Sequence, residues 1–491
     1  MTKTEEEDLP ILVTGLSSKI YNAFRRKLIA NNSDQFKLKL LEVTRKNADF
    51  NKNNFIKKNN LDSKRFNSTK FELFQDLIHH LKISEHQFSE INLFNELIEL
   101  EILLENALYI KAKRKLNKIK KIAYEQCDFD LCCKIQRKAI EHRFFNYEKG
   151  ENSFNEGIDE LKEYISLAQN LNSYKVLSEQ IAELHYQFLD KRVEDSIVLL
   201  NFNTHPLLQD VNDAKSVLAV YYYYRAKSLI HLGNNDFHEV KKYSMLAYRH
   251  LNENKSIYRD DFVLKFKALN NYLDSSMNLM ETEPFERIHP IIEDLIKKNK
   301  HKFSSFNDAF ITQANNCLVL NYLWIKKDFT RFSEIVNYIL ITYKDHKTMI
   351  SPNFRIEILL CIARMYFING DLKEANYYCK ILTDEKTNPT SLIMSCGNIL
   401  RVMIQHDLGD FQLISHLIST SKYFLKNNER LFNLERTFLN GLQKIKPYLS
   451  DSEKYLLFKE LHNKMKTKIE VTADSILDKK IGILDWIESK T

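Results

Sequence analysis

The chain has 491 residues, 44% of them hydrophobic and 12% aromatic, with a formal net charge of +7 and only 9 glycines and 7 prolines. That apolar content excludes a disordered chain, and so few glycines argue against hairpin-rich sandwiches and nucleotide-binding α/β folds. Seven cysteines, an odd number with no CxxC pair, argue against a disulfide framework or a zinc ribbon.

The start, MTKTEEEDLP, is acidic where a signal peptide is basic, and no run of about 18 apolar residues follows. The sequence therefore predicts no export, no membrane span and a cytoplasmic location. Residues 1–150 hold 28 Lys and Arg against 21 Asp and Glu, while the remainder balances. Basic character thus lies at the N-terminal end, where short helices are predicted at 17–30, 36–46, 51–60 and 67–82. The stretch FNKNNFIKKNNLDSKRFNSTKFELFQDLIHHLK reads as a short basic helix, a turn and a longer amphipathic helix. As a helix-turn-helix it would present Lys57, Lys58, Lys64, Arg65 and Lys70 to phosphates. As a capping domain, the same cations form a solvated face. KAKRKLNKIKK at 111–121 has seven basic residues in eleven but keeps Leu116 and Ile119 in a helical stripe. It suits either the solvated face of a repeat helix or an extension of the N-terminal basic patch.

Farther on, LLCIARMYFINGDLKEANYYCKIL at 359–382 holds two apolar stripes. Leu359, Ile362, Ala363 and Tyr366 fall at i, i+3, i+4 and i+7. Asn369-Gly370-Asp371 then breaks the pattern, and Leu372, Ala375, Cys379 and Leu382 resume it. Less complete versions of the turn and second helix begin at Tyr109, Phe154, Val193, Phe237, Phe285, Phe329 and Phe411, which together with Leu372 fall at intervals of 39 to 48 residues. At the C-terminus, SDSEKYLLFKELHNKMKTK and SILDKKIGILDWIESKT read as amphipathic helices that cap an array with a polar outer face; the alternative is a detachable partner-binding tail.

The 359–382 unit resembles a tetratricopeptide repeat, with matches at Ala363, Tyr366, Gly370 and Ala375 and departures at Leu359, Cys379 and Leu382. The N-terminal segments resemble those of bacterial helical-repeat proteins, a likeness that implies no activity. The resemblance implies an all-α fold, an α-solenoid of about eight helical hairpins with a period of about 43 residues, against about 34 in the standard repeat. It divides the chain into a basic N-terminal helical domain at 1–90, a repeat array at 91–445 and capping helices at 446–491. In such arrays the first helix of each pair lines an inner groove. Carried over, the groove-facing positions include Arg364 and Phe367, Tyr223 and Lys227, Asn321 and Trp324, and His185. Rings, amides and cations of this kind suit an extended peptide, and the aromatics equally suit inter-repeat core.

No motif carries chemistry. The closest glycines, Gly150 and Gly157, are seven apart, too far for a P-loop or a dinucleotide fingerprint, and HExxH and GxSxG are absent. The sequence leads to a non-enzymatic scaffold without cofactor or metal, binding a protein or peptide in its groove. The alternative is a nucleic-acid-associated regulator with the basic N-terminal domain and the repeat array as sensor. It leaves the partner and the oligomeric state open.

Overall fold

One turn recurs along the chain and sets its geometry. A residue in the left-handed region is followed by Asp and then by a large apolar residue. The turn occurs at Cys127-Asp128-Phe129, Asn235-Asp236-Phe237, Lys327-Asp328-Phe329, Gly370-Asp371-Leu372 and Gly409-Asp410-Phe411, with φ of 56°, 58°, 53°, 85° and 77° at the first residue. The left-handed residue ends one helix. The N–H groups of Asp128, Asp236 and Asp371 then reach five residues back, to the carbonyls of Ala123, His231 and Tyr366 at 2.9, 3.0 and 2.9 Å. The Asp side chain starts the next helix: Asp128, Asp236 and Asp410 accept from the N–H groups of Leu131, Glu239 and Leu413. Each turn so made is short enough to fold one helix back on its predecessor.

The computed structural model describes residues 8–14, 16, 18–30, 35–46, 52–60, 62–84, 89–142, 151–188, 201–254, 262–300, 303–347, 349–384, 392–428, 431–471 and 475–491. The fold is all-α, with no strand among the described residues. Helices α1 (Asp8–Thr14), α2 (Ser18–Ala30), α3 (Gln35–Lys46), α4 (Lys52–Lys58) and α5 (Ser63–Ser84) share a core of their own, built on Leu9, Phe24, Leu40, Leu41, Phe66 and Leu73. Arg45 ties it together by donating to the carbonyls of Val13, Thr14 and Leu16 at the end of α1.

Helices α6 (Ser89–Glu105), α7 (Tyr109–Glu125), α8 (Phe129–Glu141) and α9 (Glu151–Phe188) follow, each packed on the next. From α10 (Val217–Gly233) and α11 (Phe237–Glu253) onward the packing becomes regular. The pairs are α12 (Phe262–Asn278) with α13 (Glu283–Asn299), α14 (Ser305–Lys326) with α15 (Phe332–His346), α16 (Pro352–Ile368) with α17 (Leu372–Asp384), and α18 (Leu392–Leu408) with α19 (Phe411–Asn427). The first helices α12, α14, α16 and α18 also pack directly on one another, which makes one continuous layer. This is the solenoid arrangement: no pair buries its apolar face alone, and each is completed by the next. Ala363 and Ala375, both fully buried, let α16 and α17 approach closely.

The end of the chain is α20 (Asn433–Lys444), α21 (Asp451–Val471), α22 (Ser475–Ile481) and α23 (Ile483–Glu488). Ser450 and Glu453 close a capping box before α21: the Glu453 N–H donates to Ser450 Oγ, and the Ser450 N–H donates to Glu453 Oε2. No helix among the described residues is long and apolar enough to cross a membrane.

Two features differ from the sequence-based expectation. Phe154 was expected to begin a second helix and His185 to lie on the next first helix, but both fall on the single 38-residue helix α9, and Phe154 is exposed. Val193 lies outside the described residues. Conversely, the turn at Cys127 starts α8 at Phe129, a junction with no glycine to signal it.

Candidate functional site

The first-helix layer carries a chain segment across it. Residues 475–491 lie against α14, α16 and α18, helices distant in sequence, and against α20 and the adjacent α21. Arg364 on α16, only 3% exposed, donates from Nη1 to the main-chain carbonyl of Lys480 at 2.7 Å and from Nη2 to Asn321 Oδ1 of α14 at 2.6 Å. Its guanidinium stacks over Trp324 at 4.2 Å from the ring centroid. Gly482, at φ 65°, links α22 to α23 and lies flat on the same indole, where a Cβ would fall 3.3 Å from two ring atoms. Only glycine meets both demands without strain.

Beyond Gly482 the contacts continue toward the end of the array. Trp486 Nε1 donates to Asp407 Oδ2 of α18 at 2.9 Å, and Lys490 pairs with the same carboxylate at 2.7 Å. The Trp486 ring sits edge-on to His406, Phe438 and Phe458, at centroid distances of 5.3, 5.9 and 5.9 Å. Lys327, just past α14, reaches Asp485 at 3.2 Å. Leu477, Ile481, Ile483 and Ile487 are fully buried beneath.

Under this segment lies a cluster of ionisable groups around a cleft of about 30 Å³, lined by Asp274, Asn321, Trp324, Arg364 and Lys480 among others. That is room for one or two waters and too little for an organic cofactor. Burial pushes the carboxyls of Asp274 and Glu357 up, and Lys480 works against the shift in both. Burial alone would lower the Lys480 ammonium, but Glu357 and Asp274 beside it raise it overall. The thiol of Cys361 is lowered by its hydrogen bond with Cys317, and that contact raises Cys317. The Asp407 carboxyl, which burial would raise, is held low by His406, Lys490 and Trp486.

The groove residues expected from the sequence therefore occupy the first-helix face, but that face is not an open groove. Trp324 and Arg364 are engaged by the chain's own C-terminus, Asn321 is taken up by Arg364, and Phe367 is partly buried against the surrounding core. Tyr223 is buried, with its hydroxyl 3.5 Å from the Leu208 carbonyl, and Lys227 reaches Asn203 at 3.4 Å. Both are covered by the three 3₁₀ turns between Phe202 and Asp213, and burial lowers the Lys227 ammonium. The side chain of His185 lies outside the described residues. Asp407, Lys480, Glu357 and Asp274 were not anticipated. Asp274 sits among other polar residues in LNNYLDSSMN, so nothing local in the sequence marks it.

At the N-terminal end, Lys57, Lys58, Lys64 and Arg65 are exposed around the α4–α5 turn, with Lys70 half-buried, and Arg65 lies over the Phe36 ring at 4.9 Å. The 111–121 run is different. Lys115 pairs with Glu96 and Glu99, Lys118 with Glu96 and Lys120 with Glu160. Much of that run is thus a neutralised helix face and no extension of the basic patch. Among the described residues no three His, Cys, Asp or Glu side chains converge as a metal site would require. No family model, curated protein or solved structure matches the chain.

Proposed function

We propose that the chain is a non-enzymatic interaction scaffold, a tetratricopeptide-like array that binds a protein or peptide on its first-helix face. One observation carries the reading: on that face Arg364 takes a main-chain carbonyl at 2.7 Å while Trp324 receives a glycine backbone. Contacts to backbone recognise a chain segment without demanding one sequence, as peptide-binding grooves do. Seven buried cysteines with no disulfide between them fit the reducing cytoplasm that this reading assumes.

The test is to capture partners from lysate on the full-length chain and map each purified complex by hydrogen exchange. Added protection in α14, α16 and α18 is expected. Protection confined to second helices, or to α1–α5, contradicts the reading.

A second reading rests on the exposed cations at the α4–α5 turn. In it the N-terminal bundle contacts nucleic acid and the array acts as sensor. Binding of duplex DNA or RNA that weakens steeply with salt and is abolished by Lys57→Glu with Lys58→Glu supports it. Absence of binding at low salt removes it.

A further inference from the structure

The junction between residues 475–491 and the first-helix face is unusually polar for a permanent core. Its apolar contribution is Leu477, Ile481, Ile483, Trp486 and Ile487. Among these sit the Arg364 guanidinium on a carbonyl, the Lys480 ammonium in the cleft it lines together with Asp274, and the Asp407 carboxylate shared by Trp486 and Lys490, with the exposed Lys327–Asp485 pair at the edge. Arg364 Nε is buried with no hydrogen-bond partner among the described residues. Enclosing that many charges costs desolvation that well-packed apolar side chains would avoid. Permanent interfaces deplete charge at their centres, whereas contacts between parts that separate are more polar. The water-sized cleft in the junction has the same character.

We infer that residues 475–491 are a built-in occupant of the first-helix face, displaced when a partner segment of the same chemistry binds. That chemistry is legible from the occupant. It is a short helix ended by glycine, then an aromatic N–H donor four residues after the glycine and a lysine four residues after that, as in Gly482, Trp486 and Lys490. Arg364 takes the helix-terminal carbonyl, Trp324 the glycine, and Asp407 the indole N–H and the ammonium. The inference rests on the scaffold reading above and names its regulation.

The test uses a fluorescent synthetic peptide with the sequence of residues 475–491, titrated by anisotropy into the full-length chain. In the wild type the tethered segment competes at high effective concentration, so the peptide binds poorly. Weakening the tethered copy by Trp486→Ala, or more mildly by Lys490→Glu, is expected to tighten peptide binding at least about tenfold. A peptide carrying Gly482→Val should not bind either variant, a control that leaves the protein untouched.

Two results overturn the inference. One is folded variants that bind the peptide no better than wild type. The other is variants that lose their helical circular dichroism, which makes the segment an integral part of the fold. The scaffold reading is scored separately. A captured partner that protects α14 and α16, with affinity indifferent to Trp486→Ala, leaves that reading standing and removes this one.

Discussion

Asp407→Asn isolates the anchor at the far end of the C-terminal segment. The substitution keeps one carbonyl to accept from Trp486 Nε1 but removes the charge opposite Lys490, a pair whose side chains are 16% and 27% exposed. At that burial the surface discount on ion pairs does not apply in full. The lost charge-assisted contact is worth about 1.5–3 kcal/mol, and with a urea slope near 2 kcal/mol/M the midpoint falls by about 1 M. The chain's two tryptophans, Trp324 and Trp486, both sit in this junction, so intrinsic fluorescence reports its opening without a label. The sign of the pH dependence follows from the low Asp407 carboxyl. Its contribution is present above the unfolded value of about 3.9 and is lost as pH falls through the folded value. Wild type and variant should therefore differ at pH 7 and converge in acid. Equal midpoints at pH 7, or a deficit that persists unchanged below pH 3, would refute the anchoring role.

Lys480→Met removes the cation facing Glu357 and Asp274. Because both carboxyls are raised by burial, each favours the fold below its unfolded value and loses that contribution as pH rises through the folded one. The variant should lose about 1–3 kcal/mol near neutrality, with a smaller deficit in acid. A pH-independent deficit measured by urea unfolding contradicts the cluster. Gly370→Ala, at φ 85° with nothing within 4 Å of the added methyl, should cost about 1–2 kcal/mol through backbone conformation alone; an unchanged thermal midpoint contradicts that. All seven cysteines are buried and none is in a disulfide, and burial pushes the thiols of Cys132 and Cys379 to about 12. A thiol reagent should therefore react slowly with the native chain and titrate seven groups in denaturant; fast reaction at several native sites contradicts this burial.

The local layer of the fold was legible because its signals are local. Helix starts at Tyr109, Phe237, Leu372 and Phe411 were read from apolar periodicity and turn residues, and α7, α11, α17 and α19 begin at those residues. The Cys127 turn has no glycine at its left-handed position and so lacks the usual mark of a helix end. The Asp-Phe pair that follows the left-handed residue at 127, 235, 327 and 409 is the more faithful mark, since Asp does the capping. The long α9 hid for the opposite reason. Gly157 looks like a breaker, yet it sits buried in that helix with its carbonyl taken by Gln136 of α8 at 2.9 Å.

The first-helix face was half legible. Arg364, on one first helix, and Asn321 and Trp324, on another, were placed on the inner face by repeat phase, but the segment that covers them lies 116 residues away from Arg364 along the chain. The Asp407–Trp486 contact spans 79 residues. Periodicity constrains neighbours a turn apart and carries no information about contacts at that separation.

Docking of the C-terminal segment on the first-helix face can be read directly by zero-length carbodiimide cross-linking of the full-length chain, followed by peptide mass spectrometry. Lys327 and Asp485, 3.2 Å apart and both exposed, together with Lys490 and Asp407 at 2.7 Å, should give two linked peptides that join α14 and α18 to the C-terminus. The Lys120–Glu160 pair at 2.8 Å is the internal control. Recovery of both C-terminal links alongside the control is the expected result; the control link without either of them would contradict the docking.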